Sequence, residues 1–164
     1  DPQNSTSGRG GALSNFNSVS RFVNCTLYNN TAASVGGGVY QSDDRSTMTY
    51  DNSIVWNSST ARSAGHMYLN NTIHQGMSQS QCDNTARWTC TNQSDVNPAL
   101  ANPTLNNFHL TSSSTDALNY GNPSYLILDL IDLDGDGSTV DPFPYDLDGS
   151  VRQNGVVDRG CYEY

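Results

Sequence analysis

An internal repeat is the feature that most restricts what this chain can fold into. Residues 10–13 (GGAL) are echoed by residues 37–40 (GGVY), and residues 24–29 (NCTLYN) by residues 52–57 (NSIVWN). The first pair is offset by 27 positions and the second by 28, and a third, weaker copy is predicted to begin at Gly65. A short unit that recurs at a fixed spacing is typical of repeat architectures, in which each unit packs on its neighbours.

Each copy indicates several short β-strands rather than helices. Apolar and polar residues alternate in short β-prone runs, and Gly, Asn and Ser separate these runs. The sequence therefore predicts an all-β solenoid of about three coils, which span residues 10–36, 37–64 and 65–96.

Stacked coils predict which side chains lie above one another. Equivalent residues on successive coils are about 4.8 Å apart, so we expect Asn24 to lie over Asn52 in an amide ladder. Alternation along the strands predicts that Leu27 and Val55 face the interior and that Ile54 faces outward.

The two ends of the repeat region differ in sequence. Residues 1–9 are polar and contain Gly and Ser, and we predict a flexible or strand-donating N-terminal segment there. Residues 97–164 contain no repeat and are predicted to form an irregular C-terminal cap, because a terminal coil otherwise exposes strand edges and core. The first coil is then expected to present an open edge.

Composition excludes several classes of partner. The net charge is −9 and all seven basic residues are arginines. Nucleic acid and anionic membrane surfaces both require clustered positive charge, so neither is an expected partner. No apolar run approaches the roughly 20 residues of a membrane-spanning helix.

Particular motifs resemble a known group of proteins. Residues 36–40 (GGGVY), followed by residues 49–57, resemble the coils of secreted bacterial right-handed parallel β-helix proteins with pectate-lyase-like or polymorphic-outer-membrane-protein-like repeats. Five further motifs occur in the order of that group's closing segment: NPAL at 97–100, NFHL at 107–110, DALNYG at 116–121, DLDGSVR at 146–152 and VDRGCYE at 157–163. The resemblance covers the chain beyond about Gly10.

The resemblance implies a fold and a location more than a reaction. It implies a short right-handed parallel β-helix at the C-terminal end of an extracellular or cell-surface protein. Most members of the group have no established activity, although some relatives of the wider fold cleave acidic polysaccharides. The chain departs from the group at Cys161, where a small residue is usual, and at Ser150, where Asn is usual.

An aspartate-rich turn is the best candidate for a metal site. Asp132, Asp134 and Asp136 alternate with Leu133 and glycines, an arrangement that supplies the hard oxygen ligands of Ca²⁺ around a tight turn. Asp141 is a further candidate ligand from a shorter loop. The alternative is an acidic surface turn that binds no ion.

Other residues suggest covalent modification. Cys82 and Cys90 bracket a polar loop and are predicted to form a disulfide bond, since no zinc-binding spacing is present. Among the Asn-X-Ser/Thr sequons, we expect Asn4, Asn70 and Asn92 to be the better candidates for glycosylation.

Two aromatic residues are predicted to lie on adjacent coils and to face outward. Tyr28 and Trp56 together provide either a surface for a sugar or protein partner, or an apolar patch that the C-terminal segment shields. In that C-terminal segment, Asp146 and Asp148 are expected to pair with Arg152.

Catalytic signals are weak. Asp43 and Asp44 are adjacent and would point to opposite faces of a strand, a poor arrangement for glycoside hydrolysis. We therefore predict a non-catalytic extracellular structural module, either a self-assembling subunit of a surface fibre with head-to-tail contacts or the terminal part of an adhesin. The alternatives are a fragment of an acidic-polysaccharide lyase or glycosidase, and a carbohydrate-binding module with extracellular glycans as partners.

Overall fold

The computed structural model describes residues 9–32, 38–41, 43–58, 60–62, 65–143, 145–152 and 156–164. These residues form a mostly β structure with parallel sheets, as the repeat predicted. The elements in chain order are β1 (Leu13–Asn15), β2 (Val19–Val23), β3 (Thr26–Tyr28), β4 (Val39–Gln41), β5 (Thr47–Asp51), β6 (Ile54–Trp56), β7 (Thr60–Arg62), β8 (His66–Asn70), β9 (Ile73–His74), α1 (Gln79–Asp83) and β10 (Trp88–Thr91), with 3-10 helices at Pro103–Leu105 and Pro123–Tyr125. No helix in these ranges is long and apolar enough to cross a membrane.

The strands form three parallel sheets that the chain visits in rotation. Their orders are β1-β4-β7, β2-β5-β8-β10 and β3-β6-β9. We call each passage through the sheets a round: β1 to β3, β4 to β6 and β7 to β9. A fourth, incomplete round consists of β10 and a parallel bridge from Ser94 to Ile73.

Equivalent side chains stack in columns inside the sheets. In the second sheet, Ser20, Met48, Met67 and Trp88 are register partners from one round to the next. Methionines 48 and 67 are fully buried in a core that also contains Val39, Tyr50, Val55 and Leu69. Leu27 packs against this core, so the predicted inward direction of Leu27 and Val55 is confirmed.

Left-handed asparagines turn the chain between the second and third sheets. Asn24, Asn52, Asn71 and Asn92 have φ angles of 46° to 54°, a region that Asn tolerates better than most residues. The amide of Asn52 lies 3.5 Å from Asn24 Oδ1, and Asn92 Nδ2 donates to Asn71 Oδ1 at 2.8 Å. The predicted stacking of Asn24 over Asn52 is therefore confirmed, and the column continues through two further asparagines.

The third repeat does not begin where the sequence spacing placed it. Strand β7 pairs with β4, so this round is already under way at Thr60, and Gly65 is instead the turn before β8. Gly65 has a φ of +82°, and a Cβ there would collide with Ser46 O. The later rounds are shorter than the 28-residue period because the connections between their strands are shorter.

The C-terminal region covers a flank of the sheets rather than their end. Its hydrogen bonds reach Asn24 in the first round, Asn52 in the second and Asn92 in the fourth. Leu110 and Ala117 from this region bury Ile54, which is 0% exposed although its strand alternation points it away from the core. The prediction that Ile54 faces outward is right about direction, but the prediction of an end cap at 97–164 is wrong about placement.

Candidate functional site

The outer edge of the first round is the most unusual surface of the molecule. Strands β1, β2 and β3 are each the edge strand of their sheet, and no strand in the described ranges pairs with their outer sides. Phe16 and Val19 on this edge are 71% and 80% exposed. Unpaired strand edges with exposed apolar side chains favour strand addition, and natural proteins usually cover or charge such edges.

The opposite end is covered by a short helix and a disulfide bond. Cys82 in α1 is bonded to Cys90 in β10, with a Cα–Cα separation of 6.0 Å, as the sequence predicted. Gln79 Nε2 donates to the carbonyl oxygen of Cys90 at 3.1 Å, and Gln93 N–H donates to Gln79 Oε1 at 3.0 Å. The chain therefore uses a helix side chain to satisfy a backbone group of its last strand, whereas in the first round the side chains of Asn30 and Cys25 reach only the last carbonyl oxygens of β3 and β2.

A second column of buried amides was missed at the sequence level. Asn15 Nδ2 donates to Ser18 O and Thr47 O, both at 3.2 Å. Its register partner Gln41 donates to Ser46 O at 2.6 Å and His66 O at 3.2 Å. Each amide thus joins a corner of its own round to the next round. The repeat spacing did not reveal this pair, because the echo of residues 10–13 in residues 37–40 has an offset of 27, whereas the register of β1 with β4 has an offset of 26.

Three aspartates of the predicted metal loop come together. Asp132, Asp134 and Asp136 each place a carboxylate oxygen within 4.8 Å of the others. Asp132 has a φ of 53°, and its Oδ1 accepts a hydrogen bond from the Gly137 N–H at 3.1 Å. Asp141 lies outside this group of three, so its predicted place beside them is not supported.

Asp129 belongs to the same loop and was not predicted from the sequence. It is 1% exposed, and its Oδ2 accepts from the Leu133 N–H at 2.7 Å. Its backbone N–H donates to Asp141 O at 2.9 Å. Oδ1 of Asp129 and Oδ1 of Asp141 are both buried without a hydrogen-bond partner among the described residues. The sequence signal was available, because Asp129 interrupts the apolar run that begins at Tyr125.

The two aromatic residues are partly covered. Tyr28 and Trp56 are register partners on adjacent strands, as expected. The ring of Tyr28 lies 5.6 Å from that of Phe108, and Trp56 packs against the cluster of Ile54, Ile73, Leu110 and Ala117. These contacts favour shielding by the C-terminal region over a sugar-binding surface.

The charged residues of the C-terminal region form a different network from the predicted one. Arg152 pairs with Glu163 at 3.1 Å rather than with an aspartate. Asp146 accepts three backbone N–H groups, and Asp148 contacts His109 at 2.6 Å. Burial raises the pKa of Glu163 to about 7, although Arg152 acts in the opposite direction. The predicted pairing of Arg152 with Asp146 and Asp148 is therefore wrong.

An apolar cavity of about 300 Å³ lies between the end of β2 and the C-terminal region. Leu126, Ile127 and Phe143 form much of its wall, and Arg152 also lines it. The guanidinium donates to three backbone carbonyls and to Glu163. It is thus committed to the protein and has little capacity left to bind an anionic ligand.

Asp43 and Asp44, the residues considered for glycoside hydrolysis, and the nearby Asp51 are held in structural bonds. Asp51 is 1% exposed, pairs with Arg21 at 2.6 Å and accepts from Asn70 Nδ2 at 2.7 Å. Asp43 accepts from the Ser46 hydroxyl, which lowers the pKa of its carboxyl group. Asp44 forms an ion pair with Arg87.

Glycosylation at the predicted asparagines would disturb existing contacts. Asn4 lies outside the described residues. In Asn70, the side-chain nitrogen that would carry a glycan donates a hydrogen bond to Asp51, and in Asn92 the same atom donates to Asn71. Asn29 and Asn57, in the other sequons, are exposed and better suited to a glycan.

Comparisons with protein-family models, curated proteins and solved structures found no match to this chain. The family resemblance of the sequence motifs therefore stays a prediction.

Proposed function

We propose that this chain is a short right-handed parallel β-helix that acts as a non-catalytic structural module outside the cell, as the terminal part of an adhesin or surface fibre. Three parallel sheets visited in rotation, with equivalent residues in register, support this architecture. Right-handed crossover is the strong rule for parallel strands. The observation that carries the function is the difference between the two ends.

The open end is suited to receive further β-structure. Its three edge strands belong to one round, so an incoming round meets all three sheets together. Leu13, Phe22 and Leu27 pack against the buried core from this round while remaining partly exposed. Covering them would bury more apolar surface, at about 25 cal/mol per Å².

The other end is not complementary to it. At that end the second sheet (β2-β5-β8-β10) has one strand more than the first sheet (β1-β4-β7). In the described chain, α1 follows β9 at the point where a fourth strand of the first sheet would otherwise come. A second copy stacked head to tail would match β2 with β10 but find no strand opposite β1. This mismatch favours a terminal module over the head-to-tail fibre subunit that remains the alternative.

Bonding of the ionisable residues supports a non-catalytic role. Asp51, Asp43 and Glu163 hold backbone and side-chain groups of neighbouring segments. The Cys82–Cys90 bond supports an oxidising, extracellular location, since stable disulfides are rare in the cytosol.

Calcium binding at the aspartate loop is part of the proposal. Five aspartates contribute to this loop, and none of them takes part in an ion pair among the described residues. A buried carboxylate oxygen without a partner is costly, and Asp129 and Asp141 each have one. A hard divalent cation held by Asp132, Asp134 and Asp136 would offset the repulsion between their clustered carboxylates with the ligand type it prefers.

The open-edge proposal is tested with a charge on the edge. We expect the protein to self-associate at high concentration through β1–β3, and Val19→Lys to abolish this association, because lysine on an edge strand opposes pairing. Val140→Lys is the matched control, since Val140 is 78% exposed on the C-terminal region.

Sedimentation velocity and electron microscopy provide the measurements. Dimers that disappear in V19K indicate a terminal module with one adhesive end, and long filaments indicate a fibre subunit. Wild-type protein that stays monomeric at high concentration, or a V140K variant as disrupted as V19K, would contradict the proposal.

A further inference from the structure

The two cysteines outside the known disulfide lie in adjacent segments, although they are near opposite ends of the chain. Asn24 Nδ2 donates to Gly160 O at 3.4 Å, and the Cys161 N–H donates to Thr26 Oγ1 at 3.2 Å. These bonds join the residue on each side of Cys25 to Gly160 and Cys161. The folded chain thus holds the two cysteine backbones together from both sides.

The two thiols also influence each other electrostatically. Burial raises the pKa of the Cys25 thiol, and the neighbouring Cys161 raises it further. Burial likewise raises the pKa of the Cys161 thiol. Both are therefore protonated thiols at neutral pH, unlike the exposed low-pKa cysteines that serve as nucleophiles.

Access to the pair is provided by the apolar cavity. Cys161 lines it together with Val23 and Asn24, the residues that precede Cys25. Cys25 donates its S–H to Val23 O at 3.3 Å, a weak bond that a sulfur can exchange for another contact. A small oxidant in the cavity therefore reaches Cys161 first.

We propose that Cys25 and Cys161 form a second disulfide bond, which fastens the C-terminal region to the first round of strands. The bond would close next to the open edge and across the flank that the C-terminal region covers. It would hold Gly160 and Cys161 in place. The carbonyl oxygens of these two residues accept hydrogen bonds from Arg152.

The chemistry requires an oxidant, and a small-molecule disulfide such as oxidised glutathione supplies it. Cys161 first loses its proton, and the resulting thiolate attacks the glutathione disulfide, forms a mixed disulfide and releases one glutathione thiolate, which takes up a proton. The thiolate of Cys25 then attacks the Cys161 sulfur and releases the second. Two electrons pass from the protein sulfurs to glutathione, and the two protons of the protein thiols end on the two released glutathione molecules.

Intact-protein mass spectrometry and peptide mapping test the bond. Protein with the Cys82–Cys90 bond intact is incubated with oxidised glutathione, and we expect a mass lower by two hydrogens and a cross-linked pair of peptides containing Cys25 and Cys161. After denaturation, the oxidised protein is expected to have no thiol that reacts with an alkylating reagent.

Variants separate this bond from other pairings. C82S/C90S is expected to retain the Cys25–Cys161 bond, and C161S is expected to retain one reactive thiol. Relative to C25S/C161S, the oxidised wild type is expected to melt about 5 to 10 °C higher, because a long loop is closed. If the double variant does not fold, wild type with the Cys82–Cys90 bond intact, measured before and after treatment with oxidised glutathione, provides the same comparison.

Two reactive thiols that persist after oxidation would overturn the proposal. A new bond between molecules, or one that includes Cys82 or Cys90, would overturn it as well.

Discussion

Replacement of Asn52 tests whether the asparagine column holds the C-terminal region on the sheets. Asn52 is 0% exposed and has a φ of 49°. Its Oδ1 accepts from the Asn122 N–H at 2.8 Å, and its Nδ2 donates to Asn122 O at 2.9 Å. The residue therefore has two separable roles, one in the backbone turn and one in this pair of hydrogen bonds.

The structure gives a magnitude for each role. Removing the amide takes the acceptor from the N–H of the half-buried Asn122, while the Asn122 C=O keeps its bond from the Tyr125 N–H; the loss costs about 2 kcal/mol. Placing alanine in the left-handed region costs about 1 kcal/mol more. We thus expect Asn52→Gly to lower the free energy of unfolding by about 2 kcal/mol and Asn52→Ala by about 3 kcal/mol.

Asn57 provides the matched control. It has a φ of 53° and is exposed, so its substitution tests the backbone role alone. We expect Asn57→Ala to cost about 1 kcal/mol and Asn57→Gly to be nearly neutral.

Chemical denaturation measures these differences, and hydrogen exchange localises them. Protection of the Asn122 amide is expected to fall in both Asn52 variants and to persist in Asn57→Gly. The reasoning is refuted if Asn52→Gly is as stable as the wild type with Asn122 still protected. It is also refuted if Asn57→Ala is as destabilised as Asn52→Ala.

Two further predictions concern calcium and acid. Calorimetric titration with Ca²⁺ alone is expected to give a dissociation constant on the order of 10⁻⁴ to 10⁻³ M, and Ca²⁺ is expected to raise the melting temperature. Asp134→Asn should lose both effects, and the control Asp44→Asn should keep them. A wild-type protein that shows neither a heat of binding nor a change in melting temperature contradicts the site. Burial lowers the pKa of His74 to about 4 from 6.5, so its neutral form contributes stability above pH 6.5 that is lost as pH falls through 4, on the order of 3 kcal/mol. His74→Gln should reduce the dependence of the denaturation midpoint on pH over this range, and the control His66→Gln should not. Equal acid sensitivity in both variants would disprove the assignment of this effect to His74.

The sequence by itself determined the parallel β-sheets and the register between the first two rounds in the second and third sheets. Repeat spacing aligned Asn24 with Asn52 and Tyr28 with Trp56, because side chains in stacked strands recur at equivalent positions. Residue type alone indicated the Cys82–Cys90 bond and the three aspartates that converge in one turn. These features depend on short-range geometry and on a period that is visible in the chain.

Tertiary structure decided what covers each surface. Ile54 alternates outward yet is fully buried, because Leu110 and Ala117 pack over it from the distant C-terminal region. Arg152 pairs with Glu163 rather than with Asp146 or Asp148, which are nearer in sequence, because the irregular C-terminal segments bring Arg152 and Glu163 to 3.1 Å from each other. Such contacts lack periodicity, so no local pattern in the chain encodes them.

The same reason accounts for the two ends of the molecule. Sequence predicted a closed C-terminal end, but only the structure shows that α1 contacts β10 while residues 97–164 lie along the flank. Irregular segments dock wherever apolar and hydrogen-bonding surfaces match. The contrast between the exposed edge at Val19 and the covered strand at Cys90 is therefore a property of the folded chain.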